Sequence, residues 1–399
     1  MKRISSYIYR SSAAFTKAMR WELKFIFRDK SVFFSFVVSA ILVAFAYTYL
    51  YSSEVLEDLP IGVIDEDNTA TSRQLLRMID ATSQAQIRAS YTTTEEAGEA
   101  FQRGDVRGVV IIPRDFGRNL QRGEQPTLSV YADGSYMLYY KQVVTAVKLS
   151  ATYMSAGVRI KKISAQGKLP TQARSEVSPV SAKVVNLYNP SGGYATALIP
   201  VVLIIVFQTT MLTAVGMLGG TMREEKKLHR IYPDSDSFFG AMPIVMGKAT
   251  AYLLLAMVIL IIFLGIVMPL YGIPLRSAVL PVVVFMIPFL LAVVFFGLTL
   301  LTFFRRREDA IMVVMYTSLP AMMITGFSWP SNLFPQWITA LSYVLPSTWG
   351  AKGFVSLTQM GAELSTIKEF WIAIWVLCGV YLITASFTMR RILRKANDN

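Results

Sequence analysis

The 399-residue chain has one cysteine, Cys378, and one histidine, His229. A lone cysteine excludes an internal disulfide, and a lone histidine excludes multi-imidazole metal centres; no H-E-x-x-H occurs. Acidic residues are few: 26 Asp and Glu stand against 39 Lys and Arg, a formal charge of +13. Charge is rarest where the chain is most apolar. The runs Ser31–Tyr51, Tyr194–Thr221, Ala249–Tyr271, Val279–Phe304, Ala310–Phe327 and Phe370–Met389 hold no Lys, Arg, Asp, Glu or His. Ion-driven carriers place such groups inside the membrane, because these groups carry the coupling ion. Their absence argues against a self-powered carrier, backbone binding of sodium aside, and against intramembrane protease chemistry. No nucleotide loop is present either. Gly240–Lys248 has the wrong spacing for G-x-x-x-x-G-K-[ST], and Ala249 stands where the hydroxyl is needed. It reads as the lead-in to the third run.

What is present is apolar bulk: 53% of residues are hydrophobic and they fall in blocks. Each of the six runs is long enough to cross a hydrocarbon core of about 30 Å. The expected fold class is an α-helical integral membrane protein with six transmembrane helices. Pro200, Pro281, Pro288 and Pro320 fall inside the runs and predict kinks that neighbouring helices re-satisfy. The basic excess sits in four places: residues 1–30, the segment Arg223–Lys248, the turn Arg305–Arg307 and the tail Arg390–Lys395. With an internal N-terminus all four face the cytoplasm, so the charge is topogenic and no nucleic-acid partner is implied. The first run follows about thirty polar residues and is of full span length, which predicts a retained signal-anchor.

The domain plan follows. Residues 1–30 form a cytoplasmic N-terminus with an interfacial amphipathic helix. On Ser11–Phe27 and just beyond, Lys17, Arg20, Lys24 and Arg28 lie on one side; Phe15, Ala18, Met19, Phe25 and Ile26 crowd the other. Glu22 interrupts the apolar side, which leaves an ordinary solvated helix as the alternative. Residues 31–51 are the first span, and 52–192 an extracytoplasmic α/β domain on a helical stalk. Within it strands are predicted at Leu59–Ile64, Ile87–Tyr91, Gly108–Ile112 and Thr127–Tyr131. Helices are expected from Asn68 to Met78, from Thr93 or Thr94 to Arg103, after Pro113, and along Tyr136–Ile163 as the stalk. Lys183–Tyr188 reads as an extended return. Asp65, Glu66 and Asp67 read as a turn before a helix rather than a metal site. Residues 193–389 carry spans two to six, and 390–399 are a cytoplasmic tail.

Two irregular stretches stand out. Residues 222–248, MREEKKLHRIYPDSDSFFGAMPIVMGK, are a charged interruption between spans two and three. An amphipathic helix there, flanked by Arg223, Glu224, Glu225, Lys226 and Lys227 and anchored by Phe238 or Phe239, suits docking to a soluble partner that delivers force. Residues 326–350 hold Gly326, Phe327, Pro330, Pro335, Trp337 and Pro346, which break any continuous crossing. They predict a re-entrant outer segment of short helices, packed on other spans or on a second subunit. Gly216 and Gly220 form a GxxxG at the inner end of span two, a weak sign of a dimer.

Five stretches resemble the permease subunits of ABC-2-type exporters, in the branch with a large extracytoplasmic insert. WELKFIFRDKSVFF, with Arg28 and Asp29 before the first span, is similar to the family's leading helix. LPIGVIDEDNTATSRQLLRMID and RGDVRGVVIIPRDFGRNLQRGEQP are similar to its insert. NLYNPSGGY resembles its lead-in to span two, and TGFSWPSNLFPQWITALSYVLPSTW its re-entrant segment. Glu225-Lys226-Lys227-Leu228-His229 departs from the Gly-Thr-containing helix that relatives often have there.

The resemblance implies a non-enzymatic subunit that binds no cofactor itself, with ATP and Mg on a separate cytosolic ABC ATPase. It implies a second permease copy or sibling, a periplasmic adaptor, contact with membrane lipids, and a bacterial inner membrane with both termini cytoplasmic. The expected function is export of hydrophobic or amphipathic molecules, drug-like or lipid-like. The alternatives are a mechanotransmitting ABC component and a ligand-sensing scaffold, neither of which passes cargo.

Overall fold

Two units divide the chain in the computed structural model, which describes residues 2–178, 185–190, 192–225, 238–304, 306–327 and 329–397. One unit is Met1–Glu54 with Asn186–Asn399, and the other is Val55–Val185. The first unit opens with helix α1 (Lys2–Arg28). Lys17, Arg20, Lys24 and Arg28 are exposed as expected, while the buried stripe is Ala18, Glu22 and Ile26. Glu22 therefore sits in the middle of the packed face. Asp29 separates α1 from α2 (Lys30–Leu50), which passes through a π segment at Phe34–Val38. Val32, Phe36, Ala40, Ala44 and Thr48 recur every fourth residue and form its buried edge.

The second unit is a four-stranded sheet of order β2-β1-β3-β4, from β1 (Leu59–Asp65), β2 (Ala85–Ser90), β3 (Gly108–Ile112) and β4 (Ser129–Ala132). β1 runs parallel to both β2 and β3; β4 is antiparallel to β3. Helices α3 (Ala70–Asp80), α4 (Thr94–Arg103) and α5 (Phe116–Arg122) alternate with the strands. Both faces of β1 are covered, as a parallel strand requires. Ile61 and Val63 pack with Leu75, Ile79 and Val110, and Ile64 packs with Ala97, Ala100 and Val109.

The predicted strands recur within a residue or two. Helix α3 is capped by Thr69 rather than Asn68, whose φ of 50° removes it from the capping geometry. The expected stalk, α6 (Met137–Ser164), belongs to the core: Val143, Ala146, Val147 and Met154 lie in the same cluster as Ile61. Its apolar residues return at helical spacing, so one face packs on the sheet. Helix α7 (Pro170–Val177) follows. Asp65 accepts from the Asp67 and Asn68 N–H groups and the Ser72 hydroxyl; Asp67 accepts from Gly117 N–H and the Thr69 hydroxyl. That hydrogen bonding is a turn's. The extended return predicted at Lys183–Tyr188 lies partly outside the described residues.

Helix α8 (Tyr194–Glu224) is the pillar of the first unit, with 83% of its most apolar window buried. At 31 residues it is about 46 Å long, well beyond the hydrocarbon thickness. Around it stand α9 (Phe238–Ile262, continued through a π turn to Leu270), α10 (Val279–Leu300), α11 (Arg307–Ile324), α12 (Gln336–Val344), α13 (Pro346–Thr358) and α14 (Lys368–Asn397). Among the described residues five helices have the length and apolarity of a span: α2, α8, α9, α10 and α14. The run expected as the fifth of six spans does not qualify. It is the 18-residue α11, whose first turn carries Arg307, Glu308 and Asp309. What remains is about 22 Å of apolar helix, too short for a bilayer core on its own. Threonines stitch α10 and the turn after it to α14, through Thr299–Thr384 at 2.8 Å and Thr302–Thr388 at 3.0 Å.

Candidate functional site

At one end of the helical body, four helices and one turn meet through charged groups. Asp29 lies between α1 and α2, where its Oδ1 accepts from the Ser31 and Val32 N–H groups at 3.1 and 3.2 Å. An acidic N-cap satisfies donors that the helix leaves open and favours its dipole. The same carboxylate takes both arms of Arg307 at 2.8 Å each, joining the start of α2 to the start of α11. Burial pushes the Asp29 carboxyl up, but Arg307 and the two backbone donors prevail and hold it below the ordinary aspartate value.

Arg223, in the last turn of α8, donates to the Leu301 carbonyl at 2.5 Å and to that of Phe304. It thus serves carbonyls left over past the end of α10. The approach is close because three glycines permit it. A Cβ at Gly216 would stand 2.4 Å from that of Ala310, one at Gly219 would stand 2.3 Å from Leu301, and one at Gly220 would stand 2.7 Å from the Arg306 backbone. The GxxxG expected to hint at a dimer is therefore occupied within one chain.

Deeper in the body, the Lys248 ammonium of α9 pairs with the Glu22 carboxylate of α1, and both side chains are about fully buried. The ammonium also lies 5.2 Å from the Trp21 ring and 3.5 Å from Met222 Sδ of α8. Trp21 stacks on Phe25 at 3.9 Å. Tyr252, one turn beyond Lys248, is wholly buried with its ring 5.6 Å from Phe36 of α2. A Cβ at Gly247 would fall 2.3 Å from the Phe15 carbonyl, so only glycine lets α1 and α9 cross this closely. One expectation is corrected here: residues 222–248 are not one loop, because α8 runs to Glu224 and α9 starts at Phe238. Lys248 thus lies within α9, one residue before the apolar run that begins at Ala249. Its partner is 226 positions away in sequence, which hides the pair from a local reading. The available sign was Glu22 itself, a charge on the Ala18–Ile26 stripe that required a buried counter-charge.

The remaining expected docking residues divide. Glu224 and Glu225 close α8 on its exposed side. Lys226, Lys227 and His229 lie outside the described residues, as do the side chains of Phe238 and Phe239 at the head of α9. Arg28 is exposed, 6.0 Å from the Phe25 ring.

The segment 326–350 forms a separate group of short elements. Gly326, with φ of +85°, ends α11; Pro330 leads a 3-10 turn, Pro335 leads α12, and Pro346 starts α13. Phe327 is half-buried and Trp337 is 69% exposed, whereas α13 plunges into the core. The Ser347 N–H donates to buried Gln208 Oε1 of α8 at 2.9 Å, which satisfies a helix start inside apolar surroundings. Gly350 and Gly353 bring α13 against Phe289 and Phe285 of α10. At the opposite end of α8, Glu54 caps the helix, accepting from the Thr196 N–H at 3.3 Å and its hydroxyl at 2.6 Å.

Four apolar helices around a buried fifth, among the described residues, with their charges gathered at the ends, are those of a multi-pass membrane protein. Residues 30–387 match the ABC-2 family transporter proteins, and the chain belongs to that family. It is similar to the linearmycin resistance permease protein LnrN of Bacillus subtilis, 22% identical over 92% of this chain and 95% of LnrN. It is also similar to two probable multidrug ABC transporter permeases of Escherichia coli. YbhR is 21% identical over 94% of this chain and 97% of its own length; YbhS is 22% identical over 85% of each.

Proposed function

We propose that the chain is the membrane half of an ATP-driven exporter, powered by a separate cytosolic ABC ATPase and moving hydrophobic or amphipathic molecules outward. The observation that carries this reading is the junction. The helices flanking residues 226–237, α8 and α9, are tied to α1 by Glu22–Lys248 and to the 301–307 turn by Arg223, with Asp29–Arg307 closing the ring. Force applied to that segment has a path into five helices, α1, α2, α8, α9 and α11. Glu224, Glu225 and the residues up to Phe239 form the docking surface, on the cytoplasmic side, as the basic residues nearby favour. The chain binds no cofactor in this scheme; ATP and Mg stay on the partner.

The fold of the re-entrant region supports a paired permease. Helix α11 exposes Ile311, Met312, Val313, Met315, Tyr316 and Leu319, nearly all round, and α12 exposes Trp337 and Leu341. A helix apolar beyond its charged first turn, followed by irregular backbone, belongs within protein at membrane depth. A second copy or a sibling permease covers it, and α11 with its re-entrant partners completes the sixth crossing. Both termini then lie in the cytoplasm of a bacterial inner membrane, with residues 52–192 outside, where an adaptor has access. The names of the relatives, which speak of linearmycin resistance and of multiple drugs, support drug-like cargo.

The test is reconstitution of the permease with its ATPase in inside-out vesicles and uptake of the dye Hoechst 33342 and of a fluorescent lysophospholipid. ATP-dependent accumulation that vanishes with a hydrolysis-dead ATPase is expected. ATP hydrolysis stimulated by the permease with no accumulation of either probe favours the mechanotransmitting alternative.

A further inference from the structure

The second unit holds a cleft of about 1120 Å³, opening along one face of α6. Ligand sites typically measure about 300–1,000 Å³, so this space suits a whole amphiphile rather than a single ion. Its wall carries the half-buried apolar side chains of Leu120 of α5, Leu128, and Val158 and Ile163 of α6, backed by the buried core residues Phe116 and Met154. Its rim is cationic: Lys148, Arg159 and Lys162 lie eleven and three residues apart on α6, which places them on one side of the helix over about 21 Å. None of the three is in an ion pair among the described residues. Glu124 is the one carboxylate of the lining, so three cations face one anion. Lys162 Nζ sits 3.0 Å from where a Cβ would stand on Gly123, whose φ of +86° ends α5; the glycine leaves room for the ammonium at the rim. Three cations against one anion, beside half-buried apolar side chains, are a cost to the fold alone, since like charges in proximity are unfavourable.

We infer that this cleft binds a single-chain amphiphile with an anionic head group, its hydrocarbon along the Leu120–Leu128–Val158–Ile163 wall and its head on the Lys148–Arg159–Lys162 rim. Charge-assisted contacts fix the head, and covering the apolar wall adds to the affinity. The inference concerns the second unit alone and needs neither ATP nor transport, so its failure leaves the exporter reading untouched.

The test uses the full-length permease in nanodiscs of neutral lipid and a palmitic acid bearing a terminal diazirine, with crosslinked peptides located by mass spectrometry. Labelling of peptides covering Leu120 and Val158 is expected, with the methyl ester of the probe labelling only the spans. Oleate displaces the label and oleyl alcohol does not; competition by lysophosphatidate would extend the site to phosphate heads. Lys148→Glu/Arg159→Glu/Lys162→Glu should cut labelling of the cleft about fivefold or more while span labelling persists. Ala151→Trp fills the space without altering charge and should do the same, which separates occupancy from charge if the triple variant misfolds. Labelling confined to span peptides, equal labelling by acid and ester, or wild-type labelling of both variants overturns the inference.

Discussion

The two ion pairs that tie the N-terminal helix to the body are chemically alike and physically different. Glu22–Lys248 is shut away from solvent, with 1% and 2% of its side chains accessible, whereas Asp29–Arg307 keeps 19% and 24%. A buried pair of charges contributes little net stability against an apolar pair, yet each partner is indispensable to the other. A part-exposed pair is worth less, about 1 kcal/mol or below, and its use is geometric: two arms of a guanidinium fix two helix starts. The inner pair is thus a lock that fails abruptly, and the outer pair is an alignment pin.

That contrast can be broken in graded steps. Lys248→Met leaves Glu22 buried without its partner, at an expected cost of about 3–5 kcal/mol in thermal unfolding of the purified protein. Glu22→Leu with Lys248→Met should recover most of that loss; a double variant as unstable as the single one removes the lock. Gly220→Leu drives a side chain into the Arg306 backbone and should cost about 1–3 kcal/mol while parting α8 from the 301–307 turn. Gln208→Leu orphans the Ser347 N–H in the core, again about 1–3 kcal/mol, without touching the junction.

Asp29→Asn is the mildest, about 1 kcal/mol or less at neutral pH. Its signature is in acid. The native carboxyl titrates below its ordinary 3.8, so its contribution is complete above that value and disappears as pH falls through the lower native one. Stability of the wild type should fall more steeply with acid below about pH 4 than that of the Asn variant. Parallel acid profiles would show that Arg307 does not hold the carboxylate.

Local signals wrote most of the second unit. Alternating apolar residues set β1 and β3, and Thr93 caps α4 in its place. What escaped depends on distant partners. Glu22 reads as a flaw in an amphipathic stripe until Lys248 arrives from α9, and Lys248 reads as a loop residue until α9 is seen to begin at Phe238. Arg307, counted as topogenic charge, proves to be a bidentate ligand of Asp29. Gly216 and Gly220 signalled close packing correctly, but a motif of small residues does not say against what. The 18-residue α11 shows the limit of counting apolar residues, because its charged first turn takes part of the length a crossing needs.

A buried titratable pair at the edge of the apolar spans is also what an ion-driven carrier would use, so the power source is the point to measure. The decisive measurement is dye accumulation in proteoliposomes carrying the permease with and without its ATPase, under ATP or under a proton gradient, for wild type and for Glu22→Leu/Lys248→Met. The account predicts accumulation only with ATPase and ATP, and retention of that activity in the double variant. Accumulation on the gradient alone, lost when the pair is removed, would contradict it.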